Sequence, residues 1–199
     1  MAPTPKSNED SIYTPAPLPF AHAVGRVIVS ATSALTKYRV GSHVVSRESI
    51  AKVGELIQQN VIHVLFIKKG CRERDQGWVG SSESFWFLAL KRPENVPMLR
   101  YRALALHEAV HASWMLTGAR YEIDSITDEA IAFVCEAMYQ YKQGVSASEF
   151  ASDPMLMAAH HVARLLRSRS STLKAFQELK KTIIEQGYPQ KTNIYNPVK

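Results

Sequence analysis

Two histidines four residues apart, His107 and His111, with Glu108 directly after the first, carry the densest chemistry in the chain. At that spacing a helix projects both imidazoles from one face, about one turn apart. Two imidazoles so placed can bind one Zn²⁺. Glu108 then sits beside the metal, at an angle suited to a general base that takes a proton from an attacking water. The flanking residues (Ala103, Leu104, Ala105, Leu106, Ala109, Val110, Ala112) are small or apolar. A dry surround keeps the metal's field strong. From average residue usage, such a pattern arises by chance in well under about one chain in a hundred of this length.

A catalytic zinc needs a third protein ligand and one open position. The next helix starts Thr127-Asp128-Glu129-Ala130-Ile131-Ala132, and its Glu129 follows a glycine-containing reversal. Asp128, Glu136, and the adjacent pair His160 and His161 are the alternatives. Asp128 also suits a helix N-terminus, where an acid meets the macrodipole. Glu136 suits a supporting partner for a ligand histidine. Glu129 is favoured because small residues at Ala130 and Ala132 permit close approach of the two helices. An oxyanion in the transition state needs a donor besides the metal, and the candidates are Tyr139, His160 and His161.

His-Glu-x-x-His followed at this distance by Asp-Glu-Ala-x-Ala resembles the gluzincin metallopeptidases, and the short chain is similar to their compact, single-domain bacterial members. The resemblance covers about Ser84 to Tyr141. It implies His107, His111 and Glu129 as zinc ligands and Glu108 as catalytic base. It also implies a zincin-like fold and an edge strand just before the motif helix that pairs with a peptide or protein substrate. Phe85 to Leu90 is positioned for that role, by β-addition.

These residues need elements to position them. Pro19 to Leu35 mixes small and apolar residues at helical spacing. Ser46 to Gln59 is a capped helix with the stripe Ile50, Val53, Leu56, Ile57. Val61 to Ile67 and Phe85 to Leu90 read as strands, and Cys71 to Ser82 between them as a hairpin or exposed loop. Met98 to Thr117 is one helix, with Gly118 at its C′ position. Thr127 to Gln143, with Thr127 as N-cap, Asp153 to Ser168 and Thr172 to Gln186 follow as helices. The expected fold is α+β and mostly helical, a small antiparallel sheet packed on the motif helix, with a helical C-terminal half. The expected organisation is a flexible proline-rich arm over 1–18, one domain over 19–187 and a tail over 188–199.

Of the 199 residues, 46% are hydrophobic and 21% charged, which describes a globular chain and not a disordered one. Cys135 lies in an apolar helical pattern and reads as a small core residue, like Trp86 and Trp114. No apolar run approaches the roughly 20 residues that span a bilayer, and the first twenty residues lack the apolar segment of a secretory signal. The expected location is the cytoplasm, by this reading, or export by a signal-independent route. Acidic and basic residues balance up to residue 153. The net charge of +6 comes from Arg164, Arg167, Arg169, Lys174, Lys180, Lys181, Lys191 and Lys199 against Glu178 and Glu185. That basic end reads as a solvated face and not a nucleic-acid site. The expected activity is zinc-dependent peptide-bond hydrolysis. Its alternatives are a non-catalytic zinc-containing interaction protein and a metalloprotease toxin or effector.

Overall fold

The structure, a computed structural model, describes residues 13–40, 43–67, 77–81, 86–91, 98–117 and 123–188. Among these, six strands and six α-helices form an α+β, mostly helical fold. In chain order they are β1 (Tyr13–Pro15), α1 (Leu18–Ala31), β2 (Tyr38–Val40), β3 (His43–Val45), α2 (Arg47–Gln58), β4 (Ile62–Ile67), β5 (Gly77–Ser81), β6 (Trp86–Leu90), α3 (Met98–Thr117), α4 (Ser125–Lys142), α5 (Pro154–Arg167) and α6 (Leu173–Glu185). Short 3-10 turns follow α1 at Thr32–Ala34 and precede α5 at Ala147–Phe150.

The main sheet has the strand order β1-β4-β6-β5. Its outer pairs, β1 with β4 and β5 with β6, are antiparallel, and the central pair β4 and β6 is parallel. The two central strands read as near-continuous apolar runs, as strands covered on both faces do. Ile62, Val64, Leu88 and Leu90 face the main core under the helices. Leu65, Ile67, Phe87 and Ala89 form a second, small cluster on the other face, joined by Tyr13. β2 and β3 form a separate hairpin.

Two readings of the sequence are corrected here. The arm expected over 1–18 contributes β1: Tyr13 pairs with Ile67, and the Ala16 N–H donates to the carbonyl of Val64. Its prolines are tolerated because β1 is an edge strand. The substrate strand expected at Phe85–Leu90 is β6, which is bonded on one side to β4 and on the other to β5. It therefore has no free edge, and Phe85 itself lies outside the described residues. The neighbouring edge strand is β5, antiparallel to β6 and within the stretch expected to be a hairpin or exposed loop. Gly118, residues 1–12, and the tail from 189 also lie outside the described residues.

Helix starts follow local chemistry. The Oγ of Ser46 accepts the N–H of Ser49 at 3.2 Å and caps α2. α4 begins two residues before Thr127, because Asp124 is the better cap. Its carboxylate accepts the Thr127 N–H at 2.8 Å and the Thr127 hydroxyl at 2.6 Å, and Lys180 from α6 reaches the same pair. α1 and α2 cross at Gly25 and Gly54, where a Cβ on either residue would meet the other's carbonyl oxygen at 2.6 Å. Only glycine at both positions permits that approach.

α3 is the centre of the domain. It packs against α1, α2, α4, β5 and β6. Eleven of its residues are buried, from Tyr101 to Trp114, on nearly every face, the signature of a core helix. α4 is as deeply buried and runs antiparallel to α3, with α5 and α6 packed behind it. No described helix is long and apolar enough to cross a membrane.

Candidate metal centre

The antiparallel pairing of α3 with α4 sets His107 and His111 opposite Asp128, Glu129 and Glu136. Glu129 lies between the two rings. One of its carboxylate oxygens is 3.5 Å from Nε2 of His107 and the other is 3.8 Å from Nε2 of His111. One ligand atom from each of the three residues falls within 4.8 Å of the others. Two ligands at 2.0–2.1 Å from a tetrahedral Zn²⁺ stand about 3.3 Å apart. The two carboxylate–imidazole spacings lie near that value and the whole group falls within 4.8 Å, so the donor set could hold a metal ion.

The other nitrogen of each ring is already engaged. Nδ1 of His107 lies 3.2 Å from Oε2 of Glu136. Nδ1 of His111 makes an ion-pair contact of 2.9 Å with Oδ1 of Asp128. Glu136 orients the His107 ring through a hydrogen bond at Nδ1, while Asp128 stands against Nδ1 of His111 as a charge, without hydrogen-bond alignment; both leave Nε2 towards Glu129, the arrangement that supports a ligand histidine. Both supporting acids come from α4. Asp128 and Glu136, weighed as rival ligands, flank the ligand set without entering it.

Phe133, four residues after Glu129, stands edge-on to His107 with ring centroids 4.7 Å apart, and Tyr188 packs on Phe133 at 6.3 Å. These rings make an apolar wall on one side of the site. Glu129 is the most open member, its side chain 25% exposed against 8% for His107. The group is therefore most open to solvent on the Glu129 side.

Burial and charge act against each other at every ionisable group. Burial pushes Glu108 up to about 7, only partly offset by the nearby His107 and His111. For His107, burial favours the neutral ring but is overcome by hydrogen bonds to Glu129 and Glu136, so its pKa lies well above the usual value. For His111, burial is outweighed by Asp128 and Glu129, which raise it to about 9. Glu129 is held below the usual carboxylate range, because the two histidines outweigh its burial. The metal-free site thus carries on its rings the positive charge that a dication would otherwise bring.

The expected oxyanion donors are placed elsewhere. His161 is exposed and its Nδ1 lies 3.2 Å from Arg164. Tyr139 is buried on α4, about 15 Å along the helix from Glu129 at 1.5 Å per residue. His160 is buried, stacked on Phe150 and hydrogen-bonded to Gln140, on the Nδ1 side of His107 and away from the open side. None of the three joins the ligand group. Gln140 is a residue that spacing alone did not single out. It donates to Glu136 at 3.0 Å, and the signal for it was a polar pair four apart on an otherwise apolar helix.

No family model, curated protein or solved structure matches this chain. Cys135, expected to be a core residue, is buried beside Tyr38. The basic end is partly engaged: Lys180 holds the start of α4 and Arg167 lies over the Tyr141 ring.

Proposed function

We propose that the chain is a zinc-dependent peptidase, with His107, His111 and Glu129 as ligands and Glu108 as general base. The observation that carries this reading is the convergence of two Nε2 atoms and one carboxylate on a single point, with Glu108 buried beside them. A structural zinc site fills four protein ligands, whereas a catalytic site keeps a position open. Three candidate ligands converge here, and among the described residues no fourth His, Cys, Asp or Glu joins the group.

When bound, zinc would polarise a scissile carbonyl and acidify water at the site. Glu108 would take the proton from the attacking water and return it to the leaving nitrogen. A base with a pKa near neutrality suits both transfers. Glu136 and Asp128 hold the two imidazoles in register. The wall of Phe133 excludes water from one side.

The substrate class proposed is an extended peptide. β5 packs against α3 and pairs only with β6 among the described strands. Its other edge offers main-chain donors and acceptors to an added strand.

The deciding experiment is Glu108→Gln in the full chain, assayed on a library of quenched fluorescent peptides. Zinc content and fold should match wild type, and hydrolysis should fall to background. Loss of metal would make Glu108 a ligand, and full activity would assign the base elsewhere. A wild-type chain that binds zinc and cleaves no peptide or protein would favour a non-catalytic zinc protein.

A further inference from the structure

Behind His107 a chain of buried polar groups crosses from α3 through α4 to α5. Glu136 presents Oε2 to Nδ1 of His107 at 3.2 Å and Oε1 to the amide nitrogen of Gln140 at 3.0 Å. The amide oxygen of Gln140 meets Nε2 of His160 at 3.1 Å. All four side chains are buried, and Gln140 and His160 are 1% and 2% exposed. Polar groups kept this deep are costly unless every bond is made.

The donors and acceptors fit in one direction only. An ionised carboxylate has no proton to give, so Glu136 accepts from both neighbours. Gln140 must then turn its NH₂ to Glu136 and its oxygen to α5. Nε2 of His160 must carry the proton that this oxygen accepts. Its Nδ1 is left as a lone pair, and that atom is buried without a hydrogen-bond partner among the described residues. At the other end, Nδ1 of His107 must carry the proton that Oε2 of Glu136 accepts, which leaves Nε2, directed at Glu129, as the nitrogen a metal would take.

We propose that Gln140 and His160 are positioning residues for the metal centre, which fix the tautomer and orientation of His107 through Glu136. The proposal rests on the metal reading of His107, His111 and Glu129 and extends their support to a third helix. His160 touches neither metal nor substrate. It aligns the Gln140 amide, which aligns the Glu136 carboxylate, which holds the ring. Phe150 stacks on the His160 ring with centroids 5.1 Å apart and fixes its plane.

The test compares His160→Phe, His160→Gln and Gln140→Leu in the full chain. Phenylalanine keeps the ring and its stacking but loses the donor. Glutamine loses the stacking but can place an N–H near the position of Nε2. Zinc affinity is measured by competition with a chromophoric chelator, and histidine protons by nitrogen-15 NMR. His160 should carry its proton on Nε2 in the wild type, with or without zinc. His160→Phe and Gln140→Leu should weaken zinc binding about 10-fold, the lower end of the range for groups supporting a ligand. Both should also speed exchange of the His107 Nδ1 proton in the zinc-loaded protein, and His160→Gln should restore both readouts. A purely structural role predicts the reverse order, with His160→Phe close to wild type and His160→Gln impaired. That order, or a His160 proton on Nδ1, would overturn the proposal. Failure of the metal reading shows separately, as a wild-type chain that takes up no zinc. It would remove the ligand-positioning role, while the His160 proton would still report whether the polar chain exists.

Discussion

Nδ1 of His111 lies 2.9 Å from Oδ1 of Asp128, so the residue next to the proposed ligand Glu129 supports the other end of the site. Asp128→Asn keeps the shape and removes the charge. Zinc affinity should fall by about 10- to 100-fold, as for other groups behind a ligand histidine. Glu129→Gln should cost more, because it weakens a direct ligand. Chelator competition on both variants checks the ranking, and equal losses would put Asp128 in the ligand set.

Metal content is the plainest check. Gently purified protein should contain about one zinc per chain, removable by chelator, because a site with three protein ligands and one open position suits this ion. Two histidines and one carboxylate also suit non-haem iron(II). Elemental analysis that finds iron in place of zinc would replace hydrolysis with a different chemistry.

The metal-free protein should lose stability as pH rises. His111 has its pKa raised from 6.5 to about 9, so its contribution is complete below about 6.5 and is lost as pH rises through about 9. Glu108 has its pKa raised from 4.5 to about 7, and its protonated form likewise gives way as pH rises through that value. The two groups act with the same sign. Zinc requires neutral rings, so its stabilising effect grows over the same interval. Melting temperatures with chelator and with zinc should therefore diverge between about pH 6.5 and about pH 9. A constant difference would show that the rings are not protonated in the metal-free fold.

The crossing of α1 on α2 gives a stability prediction away from the site. Gly25→Ala or Gly54→Ala would place a Cβ 2.6 Å from a backbone oxygen. The helices must move apart, at a cost of about 1–3 kcal/mol for overpacking. Zinc affinity of the folded protein should stay as in wild type, because α1 and α2 carry no ligand. Denaturant melts read the first effect and chelator competition the second.

Much of this architecture was legible because it is written in long, uniform segments. α3 spans Met98–Thr117, the bounds its apolar run implies, and α2 begins after the Ser46 cap. β1, β5 and the β2–β3 hairpin were not legible. They are only three to five residues long: β1 carries Pro15 and β5 two glycines, while β2 and β3 have strand-forming Tyr and Val but too few residues to show a pattern. In the site, the Glu129 position follows from the reversal after α3. Which of His160 and His161 turns inward does not, since neighbouring helix positions differ by about 100°. Gln140 was hidden because one partner, Glu136, lies one turn back on its own helix and the other, His160, comes from α5.

The proposed metal ligands and both supporting acids sit on two consecutive helices, α3 and α4, whereas the sheet joins Tyr13 to Ile67 across much of the N-terminal half. Local contacts close at low entropic cost and form early in folding, while distant strand pairing is slow. If the site takes a metal, the helix pair would be able to hold it before the sheet is complete. In kinetic terms the ion would act as an early clasp on the hairpin, and the speed of refolding should depend on whether zinc is present from the start.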